Sequence, residues 1–317
     1  MTEKEEKKLA NRQILVKERE GESHEEAVKR LYPDMWEQFG QDLIPLKEIE
    51  HAIQKRFRIK LMAKFTKALS NYRLLQAGDK VAVAISGGKD SLLTAKLFQL
   101  LHRYSEIPFE VEYLSMDPGY NPINRKLLEF NCAWLGIPVH IFESDVFEVA
   151  DSISDKPCYL CARMRRGFLY HAAQSLGCNK LALGHHMNDV IETTLLNILW
   201  SANFKIMMPR IQSLNFPGIE LIRPLYLLEE RNIIAWRDFC GLKALDCACT
   251  VTQSVEGSQR KQIKQLIKEL KKVNPNVEKS IFRSGENVAI DAILGYVFKG
   301  EKHSFLEHFG EDSWTLS

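Results

Sequence analysis

The chain of 317 residues contains 45% hydrophobic and 26% charged residues, and its formal net charge is +2. This balance is typical of a globular protein and excludes a wholly disordered chain, a collagen-like repeat and a small disulfide scaffold. No stretch reaches the roughly 18 uncharged apolar residues of a membrane span, and the first residues lack the apolar core of a secretory signal. We therefore expect a soluble, cytoplasmic protein without membrane contact.

Basic residues are concentrated in two segments of this nearly neutral chain. Residues 51–73 carry seven basic residues and no acidic one, and residues 258–272 carry six basic residues and one acidic. Residues 1–50 are acidic instead, and their mixed pattern predicts a helical N-terminal extension. Basic helical segments are typical of contact with a polyanion such as nucleic acid, although solvated helix faces give the same pattern.

The first basic segment also predicts a single amphipathic helix, because apolar side chains recur at every fourth position. They are Ile53, Phe57, Leu61, Phe65 and Leu69. We expect this stripe to be buried and the basic side chains between its members to face solvent or a ligand.

Beyond Gly78, short apolar runs alternate with helical patterns. The runs that predict strands span residues 81–85, 109–116, 139–142, 180–183 and 219–222, and the helical patterns span residues 92–101, 124–134, 159–176, 189–200 and 229–240. Such alternation predicts βαβ units and hence an α/β fold with a parallel twisted sheet. Ligands of such sheets bind beside the carboxyl ends of the strands.

Between the first predicted strand and the following helix lies the sequence Ser86-Gly87-Gly88-Lys89-Asp90-Ser91, here called the phosphate loop. Its glycines allow a tight turn, and the helix N-terminus then offers free N–H groups to an anion. The serines add hydroxyl donors, Lys89 adds positive charge, and Asp90 suits a phosphate-bound magnesium ion. The spacing matches neither the Walker loop nor the G-x-G-x-x-G fingerprint. An ordinary βα turn capped by serine is the alternative interpretation.

A second motif follows the strand predicted at residues 180–183 and should lie at the same sheet edge. It consists of Leu183-Gly184-His185-His186-Met187-Asn188-Asp189. With the phosphate loop, it resembles the PP-loop and LGHH-x-D-D motifs of the tRNA-modifying N-type ATP pyrophosphatases. The chain departs from that pattern at Asn188, where an aspartate is usual, and keeps Asp189. The resemblance implies an ATP pocket lined by Gly184, His185 and the strand end at Met116.

Seven cysteines are present, and the close pairs Cys158/Cys161 and Cys247/Cys249 need an explanation. Their odd number and a reducing compartment make a disulfide framework a poor interpretation. The residues alone leave three alternatives: a four-cysteine zinc site, a redox pair, and an iron–sulfur cluster held by three cysteines with one open iron. The remaining cysteines stand alone in apolar surroundings and are predicted to be buried free thiols: Cys132, Cys178 and Cys240.

The segment around the first pair makes the resemblance specific. Residues 158–167 have the sequence CYLCARMRRG, which is similar to the C-x-L-C-x-R-x-R-R-G segment of the tRNA 2-thiocytidine synthetase family. The likeness covers about residues 51–290. It implies one PP-loop ATP pyrophosphatase domain there, with an adenine nucleotide alpha hydrolase-like fold and helices on both faces of the sheet. Residues 1–50 would form a helical extension and residues 291–317 a C-terminal tail.

The resemblance implies ATP, Mg2+ and a [4Fe-4S] cluster as cofactors and tRNA as the substrate. Cys158 and Cys161 would hold the cluster together with Cys249, for which Cys247 is the alternate. The implied reaction adenylates the C2 oxygen of a pyrimidine, a cytidine of the anticodon loop, and replaces that oxygen with sulfur.

The implied catalytic residues are Asp90, Asp189 and Arg165, and both basic segments would contact the tRNA. A sulfur donor, such as a cysteine desulfurase or free sulfide, and a second copy in a homodimer are further expected partners. Two other functions remain open. One is a lysidine-type PP-loop ligase, which would leave the clustered cysteines without a role. The other is a non-catalytic nucleotide-binding module with a structural zinc.

Overall fold

The computed structural model describes residues 11–144, 157–245 and 255–307. Cys247 and Cys249, the predicted alternatives for the third cluster ligand, lie outside the described residues, as does the end of the predicted C-terminal tail. None of the helices in the described ranges has the length and apolar composition needed to span a bilayer.

A sheet of seven strands lies at the centre of the protein. In chain order the strands are β1 (Asn11–Gln13), β2 (Lys80–Ala84), β3 (Glu110–Asp117), β4 (Val139–Glu143), β5 (Lys180–Ala182), β6 (Arg210–Gln212) and β7 (Glu220–Ile222). Across the sheet their order is β1-β4-β3-β2-β5-β7-β6, with five parallel central strands and an antiparallel strand at each edge. The predicted parallel sheet is confirmed. The edge strands β1 and β6 are too short to be predicted from periodicity.

Helices cover both faces of this sheet. In chain order they are α1 (His24–Leu31), α2 (Pro33–Phe39), α3 (Leu46–Gln54), α4 (Met62–Asn71), α5 (Lys89–Tyr104), α6 (Pro122–Trp134), α7 (Pro157–Ser175), α8 (Met187–Ser201), α9 (Glu230–Cys240), α10 (Val255–Val273) and α11 (Val277–Ser284), and a hairpin of β8 (Gly295–Phe298) and β9 (Glu301–Ser304) follows. Val81 and Val83 of β2 pack with α5, α6 and α9, whereas Ala82 and Ala84 pack with α7. Because both faces are buried, β2 has the continuous apolar sequence of a central parallel strand.

The single helix predicted over residues 51–73 is wrong, because α3 ends at Gln54 and α4 begins at Met62. Hydrogen-bonded turns join the two helices, and two of their bonds span five residues, from Phe57 N to Ala52 O and from Ala63 N to Arg58 O. These wide turns keep the four-residue spacing in phase. The whole predicted stripe is therefore buried, and most of the basic side chains between its members are exposed.

The N-terminal extension packs into the same core as the sheet. The rings of Trp36 and Trp134 stack with their centroids 5.3 Å apart. Lys96 of α5 is completely buried, and its Nζ donates to Glu50 Oε1 over 2.6 Å. Burial lowers the pKa of Lys96 to about 8, although the Glu50 carboxylate opposes this shift.

The strand order reverses at β2, since β3 and β4 lie on one side of it and β5 and β7 on the other. Parallel sheets open a cleft at such a switch point, beside the carboxyl ends of the strands. The phosphate loop follows β2 directly, so it lies at this cleft.

Candidate nucleotide-binding active site

The phosphate loop is a closed turn between β2 and α5. Gly87 has a φ of 79°, in the left-handed region that glycine adopts without strain. Ser91 Oγ accepts a hydrogen bond from Ser86 N over 3.1 Å and donates to Gly88 O over 2.8 Å. These bonds hold the loop in shape, and its last three residues form the first turn of α5, whose N–H groups are available to an anion.

The second motif lies directly against the phosphate loop. A Cβ atom placed on Gly184 would lie 3.0 Å from the carbonyl carbon of Asp90 and 3.1 Å from Ser91 N. Such contacts are tighter than most that a Cβ atom makes, so a side chain at position 184 would have to displace one of the two backbones by a few tenths of an ångström. The structure therefore brings the two predicted motifs together at one sheet edge.

The two histidines of this motif have different surroundings. Burial lowers the pKa of His185 to about 4, which leaves a neutral imidazole despite the opposing charge of Asp189. His186 is buried, and its Nε2 lies 3.7 Å from Asp90 Oδ1. Asp90 Oδ1 itself has no hydrogen-bond partner among the described residues. A buried carboxylate oxygen of this kind suits a magnesium ion with its water shell.

Lys89 and Glu230 form the charged mouth of the loop. Lys89 Nζ donates to Asp90 Oδ2 over 3.0 Å and to Glu230 Oε1 over 3.1 Å. Burial alone would lower the pKa of Lys89, but the two carboxylates outweigh it and raise the pKa. Glu230 is a functional candidate that the sequence analysis missed. It is the first residue of α9, the helix that follows β7 along the chain.

Asn188 joins two helices to the site. Its Oδ1 accepts a hydrogen bond from Glu230 N over 2.9 Å, and its Nδ2 donates to Glu278 Oε1 over 3.1 Å. Neighbouring Asp189 accepts from His186 N over 2.9 Å. The amide at position 188 therefore holds the start of α9 and α11, whereas Asp189 caps α8.

Two basic residues of α10 lie near carboxylates of the site and are also partly exposed to solvent. Arg260 Nη1 lies 3.8 Å from Asp189 Oδ1 and 3.8 Å from Glu192 Oε2. Lys264 Nζ lies 3.6 Å from Glu192 Oε1 and 3.4 Å from Glu230 Oε2. Burial raises the pKa of Glu192 to about 7, although Lys264 opposes the shift. Residues 258–272 therefore do not form a uniform outward basic face.

Helix α7 carries the first cysteine pair to the same edge. Cys158 and Cys161 lie in its first turns, and Arg165, which is half-buried, lies one turn beyond Cys161. Met164 is among the α7 side chains that pack on Met116, near the carboxyl end of β3. This contact places the start of α7 beside the strand end that is predicted to line the ATP pocket.

The chain leading to the second cysteine pair contacts the phosphate loop itself. Leu245 N donates to Gly87 O over 3.0 Å, and a Cβ on Gly87 would lie 2.6 Å from Leu245 Cδ1. Leu245 precedes Cys247 by two residues. The start of α7 and Leu245, the described residues next to the two cysteine pairs, thus adjoin the carboxyl edge of the sheet. In the described part of the chain, no group of three or more histidine, cysteine or carboxylate residues could itself hold a metal ion.

The three isolated cysteines are buried free thiols, as predicted. Burial raises the pKa of Cys178 and of Cys240 to about 12 and also raises the pKa of Cys132. These thiols therefore stay protonated and act as small core side chains.

Comparison with known proteins agrees with this geometry. The family model of the PP-loop domain matches residues 57–247 and places the chain among PP-loop proteins. A tRNA-cytidine(32) 2-sulfurtransferase of Geobacter metallireducens is 35% identical over 243 residues, which cover 76% of this chain and 93% of the relative. That of Pseudomonas fluorescens is 33% identical and covers 75% and 86%. The chain belongs to the tRNA-cytidine(32) 2-sulfurtransferase family.

A solved structure shares the fold. The U34-tRNA thiolase NcsA from Methanococcus maripaludis, determined with its [4Fe-4S] cluster, superposes with a TM-score of 0.56. It is 24% identical, and the match covers 71% of this chain and 76% of that one. The likeness supports the PP-loop architecture described above.

Proposed function

We propose that this protein uses ATP to replace the C2 oxygen of a tRNA cytidine, in the anticodon loop, with sulfur. Its family membership gives the reaction class. The strongest structural support is the contact of Leu245 with Gly87, because it holds a residue only two positions before Cys247 at the phosphate loop. Activation of the base and delivery of sulfur need such neighbouring sites.

The phosphate loop would bind the phosphates of ATP. Its backbone N–H groups and the positive end of α5 suit an anion, and Lys89 adds a fixed charge at the mouth. Asp90 and Asp189 would position Mg2+, for which the buried Asp90 Oδ1 is suited. Met116, Gly184 and the neutral His185 would line the rest of the nucleotide pocket.

The chemistry begins with the poor leaving group at C2 of the base. The C2 oxygen attacks the α-phosphorus of ATP, the bond from that phosphorus to pyrophosphate breaks, and the base becomes an adenylate. A sulfur nucleophile then adds to C2, the carbon–oxygen bond breaks, and AMP leaves with the former carbonyl oxygen. Arg165, one turn beyond Cys161, would neutralise negative charge near these groups.

The cysteine segments suit an iron–sulfur cluster. Thiolates are the usual ligands of such clusters, and the described residues Met164 and Leu245, each within a few residues of a cysteine pair, adjoin the nucleotide cleft. Cys158, Cys161 and Cys249, with Cys247 as the alternate, would hold a [4Fe-4S] cluster, which would supply a binding site for sulfur.

Three finer assignments extend the proposal. The sulfur donor would be a cysteine desulfurase or free sulfide, the protein would act in the cytoplasm, and two copies would form a homodimer. The basic stretch around α4 has mostly exposed side chains and suits contact with the tRNA backbone.

The decisive test is the modified-nucleoside profile of tRNA from cells with and without the gene. We expect 2-thiocytidine to disappear on deletion and to return with the wild-type gene. Asp90→Ala and Ser91→Ala should fail to restore it while the purified variants keep their iron. An unchanged thionucleoside profile would contradict the proposal, and loss of an amine-bearing nucleoside instead would favour a lysidine-type ligase.

A further inference from the structure

We propose that Arg260 and Lys264 of α10 belong to the nucleotide site, where they bind the β- and γ-phosphates of ATP and hold the departing pyrophosphate. This inference rests on the proposed ATP-dependent activation. It differs from the interpretation of residues 258–272 as a uniform tRNA-binding face. Contact with tRNA would be left to the outer side of the same helix.

A shared carboxylate places Lys264 at the phosphate loop. Glu230 Oε1 accepts from Lys89 Nζ over 3.1 Å, and Glu230 Oε2 lies 3.4 Å from Lys264 Nζ. Both ammonium groups therefore contact the same carboxylate. An anion held by the loop lysine would lie within reach of the second cation.

Arg260 lies near the second motif, residues 183–189. Its Nη1 lies 3.8 Å from Asp189 Oδ1, and Asp189 caps the helix that begins after His186. Arg260 and Lys264 are four residues apart on one helix, so their side chains lie on the same side. Ile263 and Ile267 pack against Met187 and Ile191 of α8 and fix α10 in this orientation.

The cations are held near the carboxylates without being tightly bound by them. Their distances to the carboxylate oxygens range from 3.4 to 3.8 Å, longer than a direct charged hydrogen bond of roughly 2.8 Å. The side chains of Arg260 and Lys264 are 48% and 47% exposed. A polyphosphate with several negative charges is a stronger partner than one carboxylate, so it would draw both cations toward the loop.

The same helix supplies a matched control. Lys261 and Lys268 are exposed and are seven residues apart, so they share a face that is turned away from the packed isoleucines. Removing either pair of positive charges changes the net charge of the protein equally. A difference between the pairs therefore reports position and not charge.

The experiment compares two variants of the full-length protein. The inner-pair variant is Arg260→Gln/Lys264→Gln, and the outer-pair variant is Lys261→Gln/Lys268→Gln. Isothermal titration calorimetry would measure the binding of ATP, pyrophosphate and AMP, and filter binding across salt concentrations would measure tRNA affinity. We expect the inner-pair variant to bind ATP and pyrophosphate more weakly than wild type, by roughly tenfold or more. Binding of AMP, which lacks the β- and γ-phosphates, should persist.

The outer-pair variant should bind nucleotides as wild type does. It should instead lower tRNA affinity and reduce the slope of log affinity against log salt by roughly one unit per lost phosphate contact. The charge-preserving variant Arg260→Lys/Lys264→Arg should retain most of the affinity for ATP, because the positive charges remain. Persisting AMP binding in the glutamine variant excludes a general folding defect.

Three results would overturn the inference: wild-type ATP and pyrophosphate affinity in the inner variant, an equal loss of AMP binding, or no rescue by the charge-preserving variant. A wild-type protein that binds neither ATP nor pyrophosphate would instead contradict the proposed function itself.

Discussion

Asn188 Oδ1 accepts a hydrogen bond from the backbone N–H of Glu230, with 2.9 Å between the two atoms. The amide nitrogen of the same side chain donates to Glu278 Oε1. A carboxylate could accept from the N–H but could not donate, and it would repel Glu278. This pair of bonds gives a physical reason for asparagine, and not aspartate, at position 188.

Replacing Asn188 with aspartate should therefore impair the nucleotide site. Repulsion from Glu278 would shift the start of α9 and move Glu230 away from Lys89. We expect Asn188→Asp to raise the KM for ATP roughly tenfold, about 1.4 kcal/mol of lost binding, in an assay of ATP-dependent pyrophosphate release.

The second-site variant Asn188→Asp/Glu278→Gln supplies the matching control. A glutamine at 278 can donate to the new carboxylate, so the double variant should regain most of the ATP affinity, and Glu278→Gln alone should change it little. A double variant as defective as Asn188→Asp would show that this bridge does not position Glu230.

The close approach of the two motifs predicts the effect of a single methyl group. In Gly184→Ala, the new Cβ would press on the backbone of Asp90 and Ser91 at about the 3.0 Å distance found here. Because a displaced catalytic backbone is costly, we expect roughly tenfold weaker ATP binding by calorimetry. In Gly167→Ala on α7, the nearest atom to the new Cβ is Phe216 Cζ at 4.0 Å, so its ATP affinity should match wild type.

Cysteine replacements should separate ligands from core thiols. We expect Cys158→Ala, Cys161→Ala and Cys249→Ala each to lose iron and thiolation, because three thiolates leave one iron open. Cys247→Ala should keep much of both, and so should Cys178→Ala, whose thiol is buried. Iron and labile sulfide analysis of anaerobically purified proteins measures this. Equal metal loss in all four clustered replacements would indicate a four-thiolate site.

Ionisation of Glu192 should lower the free energy of unfolding of the protein as the pH rises toward neutrality. Its pKa is raised from 4.5 to about 7 by burial, so the folded protein keeps a proton that the unfolded chain releases between those values. By linkage, stability decreases as pH rises through this window. We expect Glu192→Gln to equal wild type near pH 4 and to exceed it by about 1–3 kcal/mol at pH 8.

Urea unfolding of wild type and variant at several pH values measures this difference. Glu286→Gln, which removes an exposed carboxylate, is the control and should show no comparable gain. A stability difference for Glu192→Gln that does not change with pH would contradict the linkage.

The sheet, the phosphate loop and the buried apolar stripe could be predicted from the sequence, because each depends on the spacing of residues along a short segment. The break between α3 and α4 could not be predicted, since the five-residue bonds at Phe57 and Ala63 have no characteristic residue type. Glu230, Arg260 and Lys264 acquire their roles only through packing between distant helices. In the sequence, the two cations are indistinguishable from their neighbours Lys261 and Lys268.

The buried ion pair of Lys96 and Glu50 shows that the residues matched by the family model are fewer than the residues that fold together. The PP-loop family match begins at residue 57, yet the carboxylate that neutralises the ammonium group inside α5 comes from before that point. A chain trimmed to the match would strand a positive charge in its interior, at a cost on the order of 3–5 kcal/mol. The N-terminal segment is thus a structural part of the nucleotide-binding domain, and the smallest stable version of this protein should extend beyond the residues that the family match covers.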